Sequence, residues 1–240
     1  MDFKEKLYQN YRTTHNDLLH GTLTLEKLEK IFPVKDFYYA KLLPPAKTAA
    51  ILDVGCGDGN FVYYLQKRGY ANVEGIDLSS EQIELGNKLG IEGLHQISLQ
   101  DFFKGSDKQY DCIIARDVVE HLTRQEAFDA LCLISAALKP GGCFLMQVPN
   151  GQGLFFTSIF YGDYTHEMPY TAQTARQLFL NTGFSRIESY PVNPFPGTWK
   201  GKIRSVLWKI KVVETRFWKM VESGSPLGIF TANLIAKGIK

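Results

Sequence analysis

The stretch Ile51-Leu-Asp-Val-Gly-Cys-Gly-Asp-Gly-Asn-Phe61 decides how the rest of this chain is read. An apolar run, Ala49 to Val54, feeds a loop with glycine at 55, 57 and 59, and a helical pattern from Phe61 to Lys67 follows. Alternating glycines let a backbone turn sharply and approach a ligand closely, and the helix start offers free amides. Dinucleotide-binding loops share this outline, but two residues separate the cases. Asn60 stands where the third glycine of a GxGxxG loop would fall, and Asp53 sits at the strand end just before the turn. A carboxylate there would repel a pyrophosphate and suits a ligand carrying an ammonium group. Asp77 ends the next apolar run, about twenty residues on, where a carboxylate can accept both hydroxyls of a ribose.

Working outward, strand-like and helical stretches alternate. Val73 to Leu78 reads as a strand and Ser80 to Leu89 as a helix. Gly93 to Leu99 is a weaker strand, Tyr110 to Ala115 a strand, and Arg124 to Leu138 a helix. Pro140-Gly141-Gly142 reads as a turn before a strand from Cys143 to Val148. This alternation predicts right-handed βαβ units around a parallel sheet. Beyond Pro149 the rhythm breaks. A glycine- and aromatic-rich loop, Asn150 to Tyr170, precedes a helix at Thr171 to Asn181, a strand within Gly183 to Tyr190 and a final strand at Gly228 to Ala236. Ahead of the alternation, residues 1–47 read as a helical, aromatic-rich cap segment that ends at Pro44-Pro45. Residues 48–240 read as one α/β domain with insertions at 150–170 and 191–226.

In combination and in order, these motifs resemble the class I S-adenosylmethionine (SAM)-dependent methyltransferases. ILDVGCGDGNF is similar to the first motif of that family, VEGIDLS to the second, and Leu99-Gln-Asp101-Phe102 to the third. YDCIIARDVVEHL is similar to the fourth-strand segment and LKPGGCFLMQVPN to the turn and fifth strand. The resemblance implies a Rossmann-like, doubly wound, seven-stranded sheet whose last strand is antiparallel, with SAM as cofactor. It also implies roles. Asp53 and the loop Gly55-Cys56-Gly57, with Gly59, would surround the methionine end, and Asp77 would hold the ribose. Leu78 would pack on the adenine, Asp101 would hold its amino group, and Phe102 would lie beside it. Arg116 and Asp117 would line the cofactor near its sulfonium.

A hydroxyl acceptor benefits from a base, and histidine suits that task near neutral pH. Among the five histidines, His15 and His20 lie in the cap segment and His95 reads as structural or exposed. His121, in VVEHL, can serve catalysis or brace the fifth strand. A similar acidic-His pair occurs in the branch that includes ubiquinone O-methyltransferases. His166, in Gly162-Asp-Tyr-Thr-His-Glu-Met-Pro-Tyr170, is the preferred base, with Asp163 or Glu167 to orient its ring. Asp163, His166 and Glu167 are thin as a metal set, so no metal is expected.

Composition is that of an ordinary globular chain: 240 residues, 45% hydrophobic and 22% charged, with net charge +2. The near-neutral charge gives no global field for nucleic acid. The four cysteines, Cys56, Cys112, Cys132 and Cys143, form no CxxC pair and no zinc spacing. Charge is concentrated between Trp199 and Glu222, where seven Lys or Arg face only Glu214 and Glu222, a local +5 that leaves about −3 elsewhere. Ile203, Val206, Leu207, Ile210, Val213, Phe217 and Val221 recur there at helical steps, and all three tryptophans of the chain lie in this segment. Such a helix either packs its apolar stripe on the domain as a cap or lies on an anionic membrane surface. Nucleic acid fits it less well, because the cations ring a helix and form no groove.

The expected activity is O-methylation. The GDYTHEMPYT loop with the basic insertion is similar to methyltransferases encoded with bacterial surface-polysaccharide pathways, which implies a sugar hydroxyl on a nucleotide sugar or surface glycan. The cap segment and both insertions would form the acceptor lid. A prenylated quinone or small aromatic acceptor is the alternative, and a non-catalytic SAM-fold binding module is a third. The polar N-terminus and the lack of a spanning apolar stretch read as cytoplasmic, with peripheral contact at the inner face of the membrane if the second reading of the helix holds.

Overall fold

The computed structural model describes residues 23–104 and 107–240. His15 and His20 lie outside them. Two short helices come first, α1 (Leu25–Lys30) and α2 (Phe32–Tyr39), the second with proline in its first turn. There follow β1 (Ala50–Val54), α3 (Asn60–Lys67), β2 (Asn72–Asp77), α4 (Ser80–Lys88), β3 (Leu94–Gln96), α5 (Leu99–Phe103) and β4 (Tyr110–Arg116). A 3₁₀ turn at Val119–His121 leads to α6 (Arg124–Ala137), and β5 (Leu138–Pro149) follows directly. The rest is α7 (Phe156–Phe160), α8 (Ala172–Asn181), β6 (Arg186–Pro191), α9 (Trp199–Ser223) and β7 (Asn233–Ile239).

The seven strands are ordered β3-β2-β1-β4-β5-β7-β6. The first five are mutually parallel, and β7 runs antiparallel to both β5 and β6. This is the expected sheet, with its last strand reversed. The strands are apolar on both faces because helices cover both. Ile51, Ile114, Leu145 and Ile235 face one buried cluster, which α1, α2 and α3 complete with Leu28, Phe32, Phe61 and Leu65. Their alternates Leu52, Ile113, Phe144 and Leu234 face the other, completed by Leu131 and Ile134 of α6 and Phe179 of α8.

Several sequence boundaries move. The last strand is Asn233–Ile239 rather than 228–236, because Pro149 pairs with Asn233 and Cys143 with Ile239. The weak third strand contracts to three residues, and Leu99, Asp101 and Phe102 lie on a helix that the Ser98 side chain caps. Pro140-Gly141-Gly142 is no free turn. It lies within β5, whose pairing with β4 shifts register between Tyr110 and Cys112. The 150–170 loop contains α7 and an isolated bridge from Asn150 to Tyr170. Cys56, Cys112 and Cys143 are buried thiols, Cys132 is exposed, and all four are free. No described helix is long and apolar enough to cross a membrane.

Candidate active site

The carboxyl ends of the parallel strands converge on one sheet edge, where α/β folds bind ligands. There β1 delivers Asp53, whose side chain is wholly buried. Neither of its carboxylate oxygens has a hydrogen-bond partner among the described residues. Burial pushes its pKa up to about 6, although Arg116 and Lys35 pull it down. The Arg116 guanidinium lies 3.9 Å away, stacked over the Phe61 ring at 4.1 Å. A buried acid left unpartnered is costly unless something completes it. A ligand ammonium would do so.

The glycine loop wraps over this acid. Gly55, Gly57 and Gly59 all have positive φ, at 66°, 57° and 76°. A Cβ at Gly55 would sit 2.3 Å from Val118 Cγ2, so backbone there packs where no side chain fits. Cys56 is buried within the turn, and its amide donates to the Ile76 carbonyl at 3.0 Å. Asp77 braces the loop from β2: the Gly57 amide donates to its Oδ2 and the Ser79 amide to its Oδ1, each at 2.8 Å. Burial raises the Asp77 pKa against the pull of those amides. Each oxygen keeps a lone pair for a ligand hydroxyl. Beside it Leu78 stands exposed, an apolar surface without a covering partner. Asp101 is exposed on α5 and accepts from the Ser98 hydroxyl at 2.7 Å, and the Phe102 ring lies 6.4 Å from that of His95. His95 itself is half exposed, 3.6 Å from Glu74.

Three residues for which the sequence suggests no role, Lys35, Tyr39 and Gln147, complete this end. Lys35 of α2 is buried, and its ammonium donates to the Asn60 carbonyl at 2.7 Å and to Asn60 Oδ1 at 3.0 Å. Burial first, then Arg116, lowers its pKa to about 7. The Tyr39 hydroxyl donates to Gln147 Oε1 at 2.5 Å, and Gln147 Nε2 donates to Asp117 Oδ2 at 2.9 Å. The cap helix thus reaches the site through two side chains. A signal existed: Phe32, Lys35 and Tyr39 share the buried side of α2 at steps of three and four, and a lysine in such a stripe is seldom idle.

The second end forms where β4 stops. Asp117 is the only non-glycine residue with positive φ (56°) among the described residues, in a region costly to side chains. The turn it starts swings Glu120 and His121 inward, both buried. The 150–170 segment closes over them, with the Glu167 and Met168 amides donating to the Glu120 carbonyl at 2.8 and 3.2 Å. This brings the His166 ring to 4.7 Å from that of His121, centroid to centroid. His166 Nδ1 lies 2.8 Å from the Phe160 carbonyl oxygen. A carbonyl only accepts, so Nδ1 carries the proton and Nε2 presents a lone pair. The Phe160 carbonyl fixes the Nδ1 end of the ring, and Asp163, one of the two carboxylates expected to orient it, accepts from the Thr165 amide and hydroxyl at 2.9 and 2.6 Å. That hydroxyl, its proton spent on Asp163, accepts from His121 Nδ1 at 2.8 Å. Burial, then His166, lowers the His121 pKa to about 4. Glu120 has no hydrogen-bond partner on either oxygen among the described residues, and burial with Asp117 and Asp163 nearby pushes its pKa well up.

Glu120, His121 and His166 each bring one ligand-capable atom within 4.8 Å of the others. This grouping could hold a divalent cation, and it differs from the Asp163, His166 and Glu167 set considered from sequence.

Comparison with known proteins agrees with this geometry. A family model described as a methyltransferase domain matches residues 29–189, more than half the chain. The ubiquinone biosynthesis O-methyltransferase of Pasteurella multocida is 29% identical over 137 residues, covering 51% of this chain and 55% of that protein. The chain spans about half the length of such curated relatives. A SAM-dependent methyltransferase from Archaeoglobus fulgidus superposes with TM-score 0.68 at 18% identity, over 96% of this chain and 100% of the other. The plantazolicin methyltransferase, solved with SAH, gives 0.59 at 18% identity over 99% and 95%. Sheet order, glycine loop and family match agree: the chain belongs to the methyltransferase-domain family, the class I SAM-dependent methyltransferases, enzymes whose cofactor is SAM.

Proposed function

We propose that this protein methylates a hydroxyl group with His166 as general base. One observation carries the reading: the Phe160 carbonyl pins His166 Nδ1–H and leaves Nε2 as the acceptor nitrogen, on a ring packed 4.7 Å from that of His121 in the turn that follows β4. When bound, SAM supplies an electrophilic methyl group on a cationic sulfur. Asp53 would hold its ammonium group, with Arg116 and Lys35 facing the carboxylate. Asp77 would hold the ribose hydroxyls, Leu78 and Phe102 the adenine faces, and Asp101 the adenine amino group. Asp117, tied through Gln147 to Tyr39, would line the region between donor and acceptor. His166 Nε2 would take the acceptor's proton as the oxygen attacks, so much of the catalysis is alignment.

The favoured acceptor is a sugar hydroxyl on a nucleotide sugar or surface glycan. Phe155, Tyr161 and Tyr164 of the 150–170 segment are exposed and offer apolar faces on which a sugar can stack. A prenylated quinone precursor is the second reading, favoured by the O-methyltransferases among the relatives. Peripheral attachment at the inner face of the membrane suits either lipid-linked acceptor.

The test is His166→Ala. Turnover should fall by about 10²- to 10⁴-fold, while SAM affinity by calorimetry stays within about threefold. Retained turnover, or equal loss of SAM binding, would remove His166 from this role. Methyl transfer to glycan extracts against prenylated phenols separates the two acceptor classes.

A further inference from the structure

The helix α9 is amphipathic the wrong way round for a cap. Gly201 is its one buried residue, and Ser205, Trp208, Val212, Thr215 and Lys219 are its half-covered ones. These recur at steps of three and four, so they form one face. Two contacts on that face tie it to the connections that flank the helix. A Cβ at Gly201 would lie 2.3 Å from the Phe195 carbonyl, and Lys219 donates to the Leu227 carbonyl. The opposite face, about half a turn of helix away, carries Ile203, Val206, Ile210, Val213, Phe217 and Val221, each between 51 and 67% exposed. The stripe that a packed cap would bury is turned outward, which corrects that reading of the sequence. The helix is not a lid closed on the site.

Charge tells what the stripe meets. Lys202, Lys209 and Arg216, seven residues apart, line one border, and Lys200, Arg204 and Lys211 line the other. Glu214, at the edge of the stripe, is paired with Lys211 at 2.9 Å. A second copy of the helix would bring like charges together along both borders. An anionic lipid surface complements them, with the lysine and arginine stems reaching up to the headgroups. The helix also leaves from Pro191 of β6 and returns to Asn233 of β7, both at the edge that carries Asp53, Asp77 and Asp117.

We infer that α9 lies on the surface of an anionic bilayer, its apolar stripe in the acyl boundary, and holds the ligand edge of the sheet beside the membrane. Delivery of the acceptor from the bilayer rests on the proposed function; the docking does not.

The experiment is cosedimentation of the full chain with vesicles of phosphatidylcholine alone or with 30% phosphatidylglycerol (about 30%, a composition chosen to give strong surface charge). Binding is expected to the anionic vesicles only and to weaken in high salt. Ile210→Asp with Phe217→Asp should cut it by roughly tenfold or more, and Lys209→Ala with Arg216→Ala by about fivefold per cation removed. These side chains are exposed, so unchanged SAM affinity serves as the check on folding. Binding to neither vesicle type, equal binding by the aspartate variant, or a dimer that Ile210→Asp converts to monomer overturns the proposal.

Discussion

Asp53 and Glu120 are two wholly buried carboxyl groups at one sheet edge, and neither has a hydrogen-bond partner among the described residues. Their surroundings differ in sign. Around Asp53 stand Arg116 and Lys35, and its pKa rises only to about 6. Around Glu120 stand the acids Asp117 and Asp163 and the imidazoles of His121 and His166, and burial with the two acids pushes its pKa well up. The first acid is therefore ionised at neutral pH and poised for a cationic ligand group. The second is pushed toward its neutral form. Burial alone does not set the state of an acid; the charges buried with it do.

Removing the Asp53 charge breaks the comparison most severely. Asp53→Asn keeps the shape but leaves Arg116 and Lys35 without their counter-charge. SAM affinity measured by calorimetry should fall by about 10- to 100-fold, the range for a charge-assisted buried contact. An unchanged affinity would mean that this acid never meets the ammonium. The same acid gives a pH dependence: below about 6 Asp53 takes up a proton in the free protein, so SAM binding should weaken as pH falls through that value.

Lys35 sharpens the cationic side. Its pKa is lowered to about 7, so it loses its charge as pH rises through that value. If it pairs with the methionine carboxylate, SAM affinity should decline above pH 7, and Lys35→Met should cost about 3- to 10-fold at pH 6.5 while flattening the decline. Part of any remaining slope belongs to the α-amino group of SAM, which titrates near 8. A variant with the wild-type pH profile would show that Lys35 only anchors Asn60.

How legible these two ends were in the sequence follows from chain distance. The Asp53 end is written locally: a strand end, a glycine loop and Asp77 at the next strand end, all within one βαβ unit. Lys35 and Gln147 were missed because α2 and β5 join this end only through the tertiary fold. The Glu120 end depends on two segments more than forty residues apart, and the ring of His166 is fixed by a backbone carbonyl that no side-chain pattern announces. For the same reason no pattern announces that Asp163 reaches His121 through the Thr165 hydroxyl. The direction of α9 was equally out of reach. Periodicity gives a stripe, but which face is covered is seen only in the folded chain, where Gly201, Trp208 and Val212 lose exposure and the apolar stripe does not.

Glu120 supplies the smallest effect, and its readout is a slope. A carboxyl whose folded pKa lies above its unfolded value of about 4.5 binds its proton more readily in the folded state. Its favourable contribution is complete below 4.5 and is lost as pH rises toward the raised value. Wild-type stability measured by denaturant should therefore slope downward from pH 5 toward pH 8, with Asp53 adding a similar fall between 3.8 and about 6. Glu120→Gln is neutral at every pH and keeps the size of the side chain, so it should remove the upper part of that slope. The variant should gain on wild type as pH rises, so its advantage is larger at pH 8 than at pH 5. Parallel pH profiles for the two proteins would mean that Glu120 is already ionised across this range, and the contrast with Asp53 would then vanish.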